Sequence, residues 1–349
     1  MTWAALLFAS TGLVLGCGPD GIVSSGDAMV GTDSGESDVP ERDAANVPKT
    51  FSLQYVAIWG KGGIGGEGPS GRGSGEGEFS YPTGIGLSPD EHEVFIFDTS
   101  NGRIVVMSAG GAFLRSWPTV PQTACGEAAQ GLVVGLDGTV YTFDTVNHGV
   151  IGYTPTGEIR SSWPLQGAGE LCGPWGQHHH PFAVDADGNI YVGEVTLKQV
   201  LVFRYDGTFI RTIGGPGPGK GFMFGPLGIA WADGWVYATD GDRILVYRDT
   251  GEFDRAILTR STQGHVHSIN TGITASKGWL FVATDDPPAF FAQAPGDTGL
   301  NYIWQTVKGL SATQMREPFA MAIDSRGRWY VSEMYNARIQ VFDAALPTL

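Results

Sequence analysis

From Phe51 to the C-terminus, apolar residues fall in short runs where β-branched or aromatic side chains alternate with small or polar ones, and glycine-rich turns separate the runs. Alternation with a period of two predicts strands packed face to face. The stretch from Gly77 to Met107, GEFSYPTGIGLSPDEHEVFIFDTSNGRIVVM, sets the grammar: a glycine-rich lead, an aromatic and a proline, a short apolar run, a turn, a β-branched run ending in an acid, then Asn-Gly-Arg-Ile. Close variants of this stretch return along the chain.

The acid that ends the β-branched run serves as a ruler. It falls at Asp98, Asp144, Glu194, Asp240, Asp285 and Glu333, at intervals of roughly 45 to 50 residues, the period of a four-stranded propeller blade. Six acids predict an all-β fold, a six-bladed β-propeller of four-stranded antiparallel blades. In each unit an inner strand such as Gly84 to Ser88 or Phe319 to Asp324 leads through a turn to the strand carrying the acid. A third strand (IVVM, VIGY, VLVF, ILVY or IQVF) and an outer strand follow. Unit six ends after its third strand, whereas Ser52 to Trp59 precedes unit one without an inner strand of its own. We therefore expect the N-terminal strand to complete the last blade and close the ring, which removes open edges.

The lead Gly75-Gly77-Phe79-Pro82-Gly84-Ile85, its variant Gly219-Gly221-Phe222-Pro226-Gly228-Ile229, and the turns Asp98-Asn101-Arg103-Ile104 and Glu333-Asn336-Arg338-Ile339 resemble NHL repeats. The resemblance runs from about Phe51 to Leu349. It is good in units one, three, four and six and degenerate in units two and five, where Gly149 replaces the arginine and Pro287-Pro288 interrupts the pattern.

The first fifty residues follow a different pattern. Trp3 to Gly16 is one apolar segment, shorter than the roughly 20 residues that span a bilayer but suited to the h-region of an export signal. It ends in Val14-Leu15-Gly16-Cys17, which resembles a bacterial lipobox and implies cleavage after residue 16 and lipidation of Cys17. Residues 17–50 are acidic, small and free of aromatics, the composition of a disordered tether. The expected organisation is a signal peptide over 1–16, a tether over 17–50 and a propeller over 51–349. The expected address is the bacterial envelope, with a lipid anchor in the outer membrane and the chain on its periplasmic or surface face.

Composition agrees with short strands and tight turns: 53 glycines and 20 prolines disfavour helix interiors. A net charge of −15 argues against nucleic acid, whose binding draws on Lys and Arg to release counterions. A monomer is expected. Cys125 and Cys172 fall in loops entering neighbouring blades, a candidate disulfide in an oxidising compartment, with two free thiols as the alternative.

Loops entering the inner strands and loops joining second to third strands share one face, here called the top. His178, His179 and His180 precede the inner strand of unit three, His265 and His267 that of unit five, and His148 lies in a top turn of unit two, whereas His92 falls on the opposite face. Such a cluster suits a transition metal such as zinc, and the alternative is solvated loop histidines. The ruler acids are expected to accept turn amides and to pair with nearby arginines, as Asp98 with Arg103. Were they to face the channel instead, they would suit calcium. The first functional expectation is a binding or scaffold propeller for a protein, peptide or glycan, with Trp175 and Phe224 either as contact aromatics or as packing residues. The alternative is a metal-dependent lyase or hydrolase. Peptidyl-hydroxyglycine lyases, six-bladed relatives, place histidines directly after the proline that precedes several inner strands. Those positions here are Thr83, Phe182, Leu227 and Phe319, so that activity lacks its residues. His265 and His267 keep a streptogramin-lyase-like activity open, and the lactonase pattern does not match residue by residue.

Overall fold

The computed structural model describes residues 52–60, 71–120, 131–165, 180–258, 272–285, 287–294, 297 and 299–345. All belong to the second of two units, Pro48–Leu349. Cys17, Cys125, Cys172, Trp175, His178, His179, His265 and His267 lie outside the described residues.

The described chain forms six four-stranded antiparallel sheets. The first strand, β1 (Leu53–Trp59), belongs to the last blade. Blade one is β2 (Pro82–Leu87), β3 (Glu93–Asp98), β4 (Arg103–Ser108) and β5 (Phe113–Pro118); blade two is β6 (Leu132–Val134), β7 (Val140–Asp144), β8 (Gly149–Tyr153) and β9 (Ile159–Pro164). Blade three is β10 (Phe182–Val184), β11 (Ile190–Glu194), β12 (Gln199–Phe203) and β13 (Phe209–Gly214). Blade four is β14 (Gly228–Ala232), β15 (Trp235–Thr239), β16 (Arg243–Arg248) and β17 (Phe253–Leu258). Blade five is β18 (Ile273–Ser276), β19 (Trp279–Asp285), β20 (Pro288–Gln293) and β21 (Asn301–Gln305). Blade six is β22 (Pro318–Ile323), β23 (Arg328–Glu333) and β24 (Arg338–Ala344), completed by β1 in the order β22-β23-β24-β1. The register Leu53↔Ala344 through Trp59↔Ile339 is the expected closure. Blade five keeps four strands despite its two prolines, because Pro288 is the first residue of β20, where a missing N–H costs the ladder least.

Each inner strand packs against the next around the axis, β2 against β6 and β22, β10 against β6 and β14, and β18 against β14 and β22. Short side chains permit this crowding. A Cβ at Gly84 would come within 2.6 Å of the Leu132 amide nitrogen, and one at Gly131 would overlap the His180 carbonyl. Between blades six and one, the Ser332 hydroxyl donates to the Thr83 carbonyl at 2.6 Å. The core lies between blades: Phe97, Ile104 and Val106 of blade one, for example, pack with Trp117, Val140 and Tyr153.

A repeated contact locks neighbouring blades together. In blades one to four the glycine in the turn before the outer strand sits at positive φ against a side chain of the preceding blade: Gly111 on Trp59, Gly157 on Trp117, Gly207 on Trp163. A Cβ at Gly157 would reach within 2.5 Å of the Trp117 ring, and one at Gly207 within 2.8 Å of the Trp163 ring. Gly251 faces Ile213 in the same way, more loosely at 3.9 Å. Because Trp59 lies on β1, the closing strand supplies this lock between blades six and one as well as backbone pairing.

Candidate functional site

The ruler acids end their second strands in the interior of the top turns. Asp98 accepts from the Ser80 amide at 2.6 Å, Asn101 Nδ2 at 2.7 Å and Arg103 Nε at 2.8 Å. Arg103 then reaches back to the carbonyls of Ser74, Gly75 and Glu78, fastening the loop that enters blade one. Glu333 and Arg338 repeat the device in blade six at 2.6 Å, both fully buried, with Arg338 donating to the carbonyls of Leu310, Ser311 and Gln314. In blade four Asp240 accepts from the Phe224 and Gly225 amides and from Arg243, which also donates to Phe222 O. Burial pushes the carboxyl pKa of Asp98 and Glu333 upward despite the arginines beside them, since desolvation penalises the charged form.

The other three blades solve the same problem without arginine. The positions equivalent to Arg103 are Gly149, Gln199 and Pro288, paired with Asp144, Glu194 and Asp285. Asp144 takes the amides of Val146 and Asn147 and the Asn147 side chain. Glu194 accepts from the Leu197 amide, and burial raises its pKa. Asp285 accepts from Lys308 Nζ at 3.1 Å and from the Glu317 amide at 3.0 Å.

At the top of the axis the starts of the inner strands enclose a cavity of about 470 Å³, open solvent at its mouth included, whose walls include Ile85, Leu132, Phe182, Leu227, Phe319 and Met321. Phe182, Leu227 and Phe319, which stand where a histidine-bearing propeller would carry ligands, make this wall apolar. His180 also lines it. It is buried, stacks flat on Phe143 with ring centroids 3.4 Å apart, and places Nδ1 3.3 Å from the Gly193 carbonyl. A carbonyl only accepts, so Nδ1 carries the hydrogen in this contact. His148 occupies the left-handed position of the β7–β8 turn, φ 51°, and His92 lies on the opposite face in a groove with Asp90 and Glu93.

Among the described residues no three His, Cys, Asp or Glu side chains come together in a way that would hold a metal ion. The ruler acids use their oxygens on amides and cations of their own turns, which does not fit a calcium cage in the channel.

The residues before the four entry prolines Pro82, Pro181, Pro226 and Pro318 are Tyr81, His180, Gly225 and Glu317. Tyr81 and Glu317 both adopt positive φ, 54° and 51°, a conformation uncommon for a residue with a side chain and disfavoured before proline. Glu317 is half-buried beside Asp285, and burial together with that neighbouring negative charge raises its pKa to about 7. The repeat made these positions visible as equivalents. Their shared strain and proximity depend on the ring.

No family model and no curated protein matches the chain. Solved structures do. The fold is shared with a streptogramin B lyase, at 13% identity and a TM-score of 0.55 over 84% of this chain and 98% of that one. A catalytically inactive virginiamycin B lyase from Staphylococcus aureus with quinupristin matches at 12% identity, TM-score 0.51, over 80% and 82% of the two chains. A gluconolactonase from Xanthomonas campestris matches at 11% identity, TM-score 0.51, over 77% and 88%. At these identities the likeness establishes the architecture, and folds of this kind host unrelated activities.

Proposed function

We propose that the chain is a lipid-anchored binding propeller of the bacterial envelope that holds a protein, peptide or glycan on its top face. One observation carries this reading: the side chains lining the channel mouth are apolar apart from His180, the usual make-up of a binding site, whereas the ruler acids are engaged in their own turns. Leu227, half-buried on the cavity wall, is the position to probe. A photo-crosslinking side chain at Leu227 should capture a partner in intact cells that the same side chain at Asp233, on the opposite face, does not. Equal capture from both positions, or none from Leu227, overturns the reading. Anchoring is tested separately by fatty-acid labelling, which Cys17→Ser should abolish.

A metal-dependent lyase or hydrolase is the second reading. Its specific support is Glu317, a carboxyl that titrates near neutrality two residues ahead of Phe319 on the cavity wall, as a general acid or base requires. The shared architecture with a lyase and a gluconolactonase is compatible with it. Screening lactones and cyclic esters tests this reading: turnover that Glu317→Gln abolishes supports it, and turnover unchanged by that substitution removes Glu317 from it.

A further inference from the structure

Next to the mouth, on the rim of blades six and one, four side chains form a continuous ladder. The Arg72 guanidinium lies 3.6 Å from the centroid of the Tyr81 ring, Tyr81 meets Tyr335 edge-on at 5.5 Å, and the Arg316 guanidinium stands 5.2 Å from the Tyr335 ring. Tyr335 is 40% exposed and Arg316 is exposed. Three features separate this place from the rest of the surface. First, the chain carries a net charge of −15, yet among the described residues Arg72 and Arg316, like Arg204, Arg211 and Arg248, have no carboxylate in ion-pair contact, whereas Arg103, Arg115, Arg160, Arg243, Arg255, Arg326, Arg328 and Arg338 each have one. Of the five without one, only Arg72 and Arg316 are joined to each other through aromatic rings. Second, Tyr81 and the adjoining Glu317 are both held at positive φ ahead of a proline, and strain of this kind collects at functional sites. Third, among the described residues neither tyrosine hydroxyl has a hydrogen-bond partner, although both rings are fixed by their neighbours.

We propose that this rim binds an acidic oligosaccharide, with the Arg72 and Arg316 guanidinium groups taking a ring carboxylate and the exposed Tyr335 ring carrying a sugar face. Guanidinium groups match carboxylates in planar, two-pronged geometry, and aromatic rings offer an apolar face with a polar tip. The phenols and the Glu317 carboxyl supply partners for sugar hydroxyls. An acidic peptide fits less well: extended peptides are commonly held through their backbone by a strand edge, and this platform is built from turn residues. The site stands beside the channel mouth and does not depend on the reading given for it.

The charged groups around Glu317 give the site a pH signature. Asp285 at the end of β19, Lys308 and Arg316 on the segment entering blade six, and Tyr335 in the β23–β24 turn all face it. Protonation of Glu317 as pH falls through about 7 removes a negative charge from beside the ladder, so an anion should bind more tightly at lower pH.

The test is calorimetry of the full chain with an oligogalacturonate, a neutral oligosaccharide of equal length and an oligoglutamate. The uronate should bind saturably, roughly fourfold more tightly at pH 6 than at pH 8, and the neutral sugar more weakly. Arg72→Gln with Arg316→Gln should weaken binding about tenfold or more, with Arg316→Glu as a single exposed substitution should the pair prove unstable. Arg204→Gln with Lys277→Gln, an equal loss of charge on the opposite face, should leave binding intact. Glu317→Gln should bind at pH 8 as the parent does at pH 6. No saturable uronate binding, binding unaltered by loss of both arginines, or oligoglutamate bound as tightly as the uronate would each overturn the proposal.

Discussion

Blades one, four and six differ from blades two, three and five at a single structural position. In the first group an arginine pairs with the ruler acid and ties down the carbonyls of the entering loop. In the second group that position is Gly149, Gln199 or Pro288, and amides, an asparagine or a lysine satisfy the acid. The candidate chemistry read from the sequence divides the same way: Cys125, Cys172 and five of the seven histidines belong to the segments entering blades two, three and five. The repeat thus has one version in which an arginine ties the entering loop to the acid and another in which that arginine is missing. A carboxylate is a sound choice for the first role because it offers several acceptor sites in one buried turn.

Breaking the clamp where it is most buried should have the largest effect. Arg338→Ala leaves Glu333 without its cation in a fully buried site and should cost about 3–5 kcal/mol in urea unfolding. Forcing the other version of the turn toward the first should fail for steric reasons. Gly149→Ala should cost about 1–3 kcal/mol, because a Cβ there overlaps the Trp163 carbonyl, which is also why an arginine cannot simply be installed at this position. A loss below 0.5 kcal/mol would show that β8 and β9 separate without penalty. The inter-blade lock is common to both groups and should be independent of the clamp. Gly157→Ala, at φ 96° on the Trp117 ring, should cost about 1–2 kcal/mol and add to Arg338→Ala within error, the two sites being in different blades.

The smallest effect concerns pH. The folded-state pKa of Glu317, about 7, lies above the ordinary value of 4.5. Its neutral form therefore favours the fold below pH 4.5, and that contribution is lost as pH rises through 7. Glu317→Gln should accordingly raise the melting temperature at pH 8 relative to the parent and change it little at pH 4, a gain of about 1 kcal/mol or less. An equal shift at both pH values would show that the carboxyl is not the group responsible.

The ruler acids were legible because each ends an apolar run, and the Asp98–Arg103 spacing already implied a pair across one turn. The loop carbonyls that Arg103 and Arg338 hold were not, since they lie 24 to 29 residues away in sequence. His180 illustrates the limit differently. As the last of three histidines it read as a loop ligand, whereas the structure buries it on the cavity wall against Phe143 of the preceding blade, a neighbour that spacing cannot show.

Periodicity alone determined the number of blades, the position of each acid and the role of Leu53–Trp59 in closing the ring, because a strand's alternation and a blade's length are local and repeat. Only the tertiary structure decided what stands beside what at the mouth. Arg72 and Tyr81 lie near the first blade and Arg316 and Tyr335 near the last, and the two pairs meet because ring closure brings those blades together. The positive φ of Tyr81 and Glu317 and the shifted pKa of Glu317 are likewise products of packing, since both follow from how the closed ring crowds and desolvates a turn that the sequence marks only with a proline.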